Sequence, residues 1–206
     1  MAKSGYGANV NKVYCGSPTQ ADDIAIISLS PLGLQKLIDL CIRYSQSWRF
    51  KFNASKSKIL TAGFSRQKLN LIKLNHKWYL GERILEIVDS YKHVGVLIQS
   101  SGSSKERTAE ACAKGKRTFM AACGIGMHSL CPKSASKIYH SVILPRSLYG
   151  CELWHNLSAK EIHDLQVMQR YIAKRIQHFH FRCRSIIAIG MIGWQPIDKY
   201  IHEAKL

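Results

Sequence analysis

Apolar residues recur in two different rhythms in this chain, and the change falls near residue 100. Val10 to Cys15 can form a strand, Gly16-Ser17-Pro18-Thr19 supplies turn residues, and the run Ile24-Ala25-Ile26-Ile27 belongs to a second strand from about Ala21 to Ser28. Together they predict a β-hairpin with Asp22 and Asp23 at or just after its tip. Ser30-Pro31 then reads as N-cap and first helical position, with Leu34, Leu37, Ile38, Cys41 and Trp48 at helical spacing. A helix over 31–47, packed on the hairpin, is expected. From Leu69 to Ile98, short β-type runs alternate with turns at His76-Lys77, Gly81-Glu82 and Asp89-Ser90, which predicts an antiparallel meander.

Beyond Ser100-Ser101-Gly102 the spacing becomes helical. Ser103 with Glu106, and Ser158 with Glu161, fit capping boxes. Ile162, Leu165, Met168 or Gln169, Ile172 and Ile176 mark one buried helical face. Pro145 is expected to kink or split a helix over 132–150 because it lacks an amide donor. Gly124-Ile125-Gly126 reads as helix termination, and Gly193-Trp194-Gln195-Pro196-Ile197 as a turn into a last helix that runs off the end of the chain. The fold class expected is α+β, with a β-rich unit over 1–100 and a mainly helical one over 101–206, the latter cut short at its C-terminus.

Charge narrows the choice of partner. Thirty Lys and Arg against 13 Asp and Glu give a formal net charge of +17 in 206 residues, a field that attracts polyanions. With 46% hydrophobic residues the chain can build a core, so disorder is not expected. The seven cysteines, at 15, 41, 112, 123, 131, 151 and 183, show no regular framework and read as reduced core thiols of an intracellular protein, in nucleus or cytoplasm. No apolar run approaches membrane-spanning length, so no membrane partner is expected.

Two carboxylates at a hairpin tip suit a hard divalent ion such as Mg²⁺, which prefers oxygen ligands and substrate phosphates. Metal ions so held lower the pKa of an attacking hydroxyl and stabilise a leaving pyrophosphate. A dipeptide alone says little, since Asp is common in turns. The order of segments says more. Gln20-Ala21-Asp22-Asp23-Ile24-Ala25-Ile26-Ile27-Ser28, a helix, Phe52-Asn53-Ala54-Ser55-Lys56-Ser57-Lys58 and Tyr91-Lys92-His93-Val94-Gly95-Val96 resemble consecutive motifs of reverse transcriptases from non-LTR retrotransposons of the long-interspersed type. Leu144 to Trp154 and the tail from Gly193 to Leu206 extend the likeness over nearly the whole chain.

The resemblance implies the C-terminal half of a polymerase palm followed by a thumb-like helical region. Asp22 would be the metal-ligating aspartate and Asp23 its supporting neighbour. Asn53 and Lys56 would lie beside the incoming nucleotide, with Lys56 neutralising or protonating pyrophosphate. Tyr91, His93 and Gly95 would form the primer grip, and RNA and DNA would be the template and primer. The chain departs from the family in carrying Gln20 where an aromatic is usual and His93-Val94 in place of Tyr-Leu. The family's further metal-binding aspartate lies on an upstream strand, and residues 1–21 contain no Asp or Glu. The isolated chain is therefore expected to be inactive, although descended from an RNA-directed DNA polymerase. The alternative is a non-catalytic basic nucleic-acid-binding module.

In the helical half, Lys160, Arg170, Lys174, Arg175, Arg182 and Arg184 supply charge for phosphate contacts, and Tyr171, Phe179 and Phe181 are candidates to stack on bases. His178, His180 and Cys183 offer only three clustered ligands, too few for a standard zinc site.

Overall fold

The structure is a computed structural model that describes all residues except Phe64, His155 and Leu206, and except the side chains of Lys3 and Arg66. It divides into two compact units, Met1–Gly102 and Ser103–Leu206.

The first unit is a set of short hairpins around one helix. Strands β1 (Asn9–Val10) and β2 (Val13–Tyr14) pair antiparallel, as do β3 (Thr19–Gln20) and β4 (Asp23–Ile24). The hairpin predicted from Val10–Cys15 and Ala21–Ser28 is thus replaced by two. The turn expected at 16–19 is instead the start of a strand arm, because Gly16 and Pro18 carbonyls accept from the Ile27 and Ala25 amides at 2.9 Å each. Ala8 joins the two hairpins, bonded to both Cys15 and Ile27.

Helix α1 (Pro31–Ser47) starts where the sequence placed it, with the Ser30 hydroxyl accepting from the Gly33 amide at 3.1 Å. Leu37, Ile38 and Cys41 are buried, but Trp48 lies just past the helix and turns outward. Ile38 packs with Ile59, Trp78 and Leu85, and Ile26 of the acidic hairpin packs against that cluster. Trp78 fixes the start of α1 to the following hairpin by donating its indole N–H to the Pro31 carbonyl at 3.0 Å. Gln35 does the same from its side chain, bonding both the amide and the carbonyl of Tyr79 at 2.9 Å.

The expected meander over 69–98 is corrected in its first part and in its pairing. Residues Arg66–Asn75 form helix α2, since Leu69 and Ile72 can share one face at the i, i+3 interval that a helix favours over β alternation. Hairpin β6 (Tyr79–Leu80) and β7 (Arg83–Ile84) follows, turning at Gly81-Glu82 as predicted. β5 (Lys58–Leu60) and β8 (Glu86–Val88) pair in parallel, with Lys58 directly opposite Glu86. β9 (Ser90–His93) and β10 (Val96–Gln99) form the last antiparallel pair.

The second unit is helical. Helix α3 (Lys105–Gly124) has Ser104 at its N-cap, one residue past the predicted Ser103. The helix predicted over 132–150 is divided into α4 (Pro132–Ile138), a π-helical stretch (Tyr139–Ile143) and α5 (Leu144–Ser147). The disturbance lies ahead of Pro145, where the missing donor and the ring's clash with the preceding turn are relieved by widening that turn. Helix α6 (Ala159–Ile176) carries the predicted Ser158–Glu161 capping box. α7 (Ser185–Ile192) ends at Gly193 (φ 72°) and α8 (Ile197–Glu203) completes the unit. The last helix closes at Glu203 with Ala204 as C-cap, so it does not run off the end as expected.

Phe119, Tyr139, Ile143, Leu165, Met168 and Ile172 form the centre of the core, with Trp194 and Ile197 closing one side. Gly115 is needed where α3 meets α5 and α6. A Cβ there would lie 2.9 Å from Met168 Sδ and 3.0 Å from Ser147 Oγ.

The cysteines only partly match the expectation of core thiols. All seven are free, but only Cys41 and Cys151 are buried and Cys131 is exposed. Burial pushes the Cys41 thiol up to about 11, which makes it unreactive at neutral pH. Among the described residues no helix is long and apolar enough to cross a membrane.

Candidate functional site

The acidic pair sits at a two-residue turn. Gln20 pairs with Asp23, which leaves Ala21 and Asp22 as the two turn residues, and both aspartates are exposed. Ala21 adopts φ 52°, a left-handed conformation that costs a residue with a Cβ roughly 1 kcal/mol. A glycine or asparagine would relieve it, so the strain is a local departure from what turn chemistry alone selects. The hairpin arms run back to Gly16 and Ile27 and are anchored by Ile26 on the α1 core, which gives the tip a firm base.

The Asn-x-x-Lys segment is a side-chain-capped turn. Asn53 Oδ1 accepts from the Ser55 amide at 3.1 Å and hydroxyl at 2.6 Å, and more weakly from the Lys56 amide at 3.4 Å. The Asn53 carbonyl accepts from the Ser57 amide at 3.0 Å and hydroxyl at 2.9 Å. Asn53 therefore shapes the loop that carries Lys56, whose side chain is exposed. Asn53→Ala is expected to lower the stability of the chain by about 1 kcal/mol, since the cap would be gone. Urea titration checks it, and Asn53→Asp, which keeps the acceptor, should retain most of the stability.

Tyr91 lies on the same patch. Its hydroxyl donates to the Lys56 carbonyl at 3.1 Å, so the structure brings Asn53, Lys56 and Tyr91 together. His93 shares a face with Tyr91 on β9 and precedes a tight turn in which Val94 (φ 47°) and Gly95 (φ 78°) are both left-handed, the signature of a type I′ hairpin. None of the described contacts brings Asp22 or Asp23 to this group. Three other acids of the unit are engaged elsewhere: Glu86 pairs with Lys58 and Asp89 with Lys73, each at 2.6 Å, and Asp39 accepts from Gln35 at 2.8 Å.

Among the described residues no group of three or more His, Cys, Asp and Glu is placed to hold a metal ion. Asp22 and Asp23 are acceptors of the right hardness for Mg²⁺, but two carboxylates on one turn do not fit an ion pair that needs bridging ligands from separate elements. His178, His180 and Cys183 lie between the end of α6 and the start of α7, with His180 Nδ1 accepting from the Arg182 amide at 3.3 Å.

The basic residues of the helical unit have different roles. Arg170 Nη2 donates to Gln166 Oε1 at 2.9 Å within α6, and Lys174 Nζ donates to the Phe181 carbonyl at 2.9 Å, bracing the loop after the helix. Arg175 is exposed at the last turn of α6, and Arg182 and Arg184 are exposed on the loop before α7. Of the three aromatics, Phe179 packs against the core, Tyr171 is partly exposed and meets Phe119 edge-on at 6.2 Å, and Phe181 is exposed with the Arg182 guanidinium 5.4 Å from its ring centre. Phe179 is thereby removed from the set available for stacking.

Sequence reasoning missed an aromatic group in the first unit. Tyr44, Trp48, Phe50 and Phe52 lie in contact around the end of α1, with ring centres 5.1–6.1 Å apart. The signal was present as four aromatics within nine residues, but the helical period assigned Trp48 to the buried face.

No family model, no curated protein and no solved structure matches this chain.

Proposed function

We propose that the chain is part of an RNA-directed DNA polymerase of the non-LTR retrotransposon type, comprising half of a palm and a thumb-like helical region. On this reading it engages template and primer and does not by itself add nucleotides. The observation that carries it is the exposed Asp22-Asp23 tip on a hairpin braced by α1, with left-handed strain at Ala21. Strain kept at an exposed acidic turn is an outlier of the kind that collects at functional sites. The joined Asn53, Lys56 and Tyr91 group and the cationic end of α6 support the same reading. In the family the reaction is Mg²⁺-dependent deoxynucleotide addition to a primer on an RNA template. Among the described residues, Asp22 and Asp23 have no third His, Cys, Asp or Glu placed to complete a metal site with them.

Primer extension on an RNA template with Mg²⁺ is expected to give no product, and incorporation that disappears with Asp22→Asn would overturn the assignment as inactive. Binding to an RNA–DNA hybrid should weaken linearly in a plot of log affinity against log salt. Changing Arg175, Arg182 and Arg184 together to Gln should flatten that slope by up to about 0.9 for each phosphate that is no longer neutralised. A chain that binds no hybrid even at low salt would not be a nucleic-acid protein.

A further inference from the structure

Exposed aromatic rings are costly unless something covers them, and the end of α1 gathers three. Trp48 is 68% exposed, Tyr44 56% and Phe50 39%, with Phe52 half-buried beneath. Tyr44 meets Trp48 at 6.1 Å and Phe50 at 6.0 Å, while Phe50 meets Phe52 edge-on at 5.1 Å. The rings hold one another in place, so their outer faces are presented without the entropy cost of ordering them on binding.

The charge around this group has one sign. Between Asp39 and Glu82 the chain has no acidic residue and nine Lys or Arg. Arg43, Arg49 and Lys51 alternate with the aromatics in sequence and are exposed, and Arg49 is held at φ 58° where the chain leaves the helix. Among the described residues none of these three forms an ion pair.

We propose that Tyr44, Trp48 and Phe50 form a stacking step for single-stranded nucleic acid, with Arg43, Arg49 and Lys51 taking the phosphates. Bases have two flat apolar faces joined by an anionic backbone, which matches rings interleaved with cations and matches neither an acidic peptide nor a neutral helix. The surface belongs to the first unit and shares no residue with the cations at the end of α6. It does not need the polymerase reading to hold.

Fluorescence tests it directly, because Trp48 is the one exposed indole: Trp78, Trp154 and Trp194 are 2%, 3% and 5% exposed. Titration of the full chain with short oligothymidylate or oligouridylate should quench its solvent-exposed emission, and the two probes together separate a DNA from an RNA preference. Trp48→Phe should abolish the quench but keep affinity, read by anisotropy of a labelled oligonucleotide. Trp48→Ala should weaken binding about tenfold with the far-ultraviolet circular dichroism unchanged. Changing Arg43, Arg49 and Lys51 to Gln should flatten the salt dependence.

Saturation of the labelled oligonucleotide without any quench would overturn the proposal, as would Trp48→Ala binding like the parent chain. Self-association in sedimentation that is lost in Trp48→Ala would overturn it too, by showing that a second copy covers the rings. If the quench is absent while hybrid binding still responds to Arg175, Arg182 and Arg184, this inference fails and the proposed function stands.

Discussion

Trp194→Ala should lower the stability of the chain by about 3–5 kcal/mol, the range found when a large buried aromatic is removed. Trp194 is buried, stacks on Tyr139 with ring centres 3.7 Å apart and an interplanar angle of 14°, and donates its indole N–H to Ser136 Oγ at 2.7 Å. His140 approaches the same ring edge-on at 5.6 Å. One substitution therefore opens a cavity, breaks a stack and leaves Ser136 without a partner ring. Chemical denaturation followed by circular dichroism reads the loss. Trp194→Phe keeps the apolar packing and gives up the hydrogen bond, so about 1–2 kcal/mol is expected. A loss under about 1 kcal/mol for the alanine variant would mean that Trp194 does not close the core.

Glu161→Ala comes next in size, at about 2–4 kcal/mol. The Glu161 carboxylate is buried and accepts from Ser104 Oγ at 2.6 Å, from the Ser158 amide at 2.8 Å and from Ser158 Oγ at 2.7 Å. It caps α6 and at the same time ties that helix to the start of α3. Burial alone would raise its pKa. Hydrogen bonds from Ser104, Ser158 and Thr108 outweigh that and hold it below the ordinary glutamate value.

The sign of the pH effect follows from that depression. The unfolded chain binds the proton more readily, so the stabilisation is present above the unfolded glutamate pKa of about 4.3 and lost as pH falls through the lower folded value. Urea midpoints for the parent should drop through this acid range, and those for Glu161→Gln should start lower and drop less. Parallel curves for the two proteins would show that Glu161 does not titrate with unfolding.

Where one element carries its own start and stop signals, sequence and structure agree. α1 has Ser30-Pro31 in front and an uninterrupted apolar stripe, and α6 has a complete capping box. The first unit was harder because its strands are two to four residues long, too short for alternation to fix their bounds, and because residues 66–75 suit a helix as well as strands. The acidic tip was found by its place between turn residues and an apolar run. That the turn falls at Ala21-Asp22, with a left-handed alanine, could not be read from residue types, since alanine is a poor choice there. Gln35 and Trp78, which bind α1 to the β6–β7 hairpin, are far apart in the chain and carry no local sign of that pairing.

The π-helical stretch also determines which side chains can meet. In a regular helix neighbouring side chains diverge by about 100°, so one of any adjacent pair faces away from a given partner. Across the wide turn at Tyr139–Ile143, the adjacent rings of Tyr139 and His140 both reach Trp194, and His140 also approaches Tyr200. The extra residue in that coil thus sets the rotational phase between α4 and α5. It lets Ala135 on one side and Leu144 and Ser147 on the other be buried in a single core, a coincidence that an unbroken spiral of the same length would forfeit.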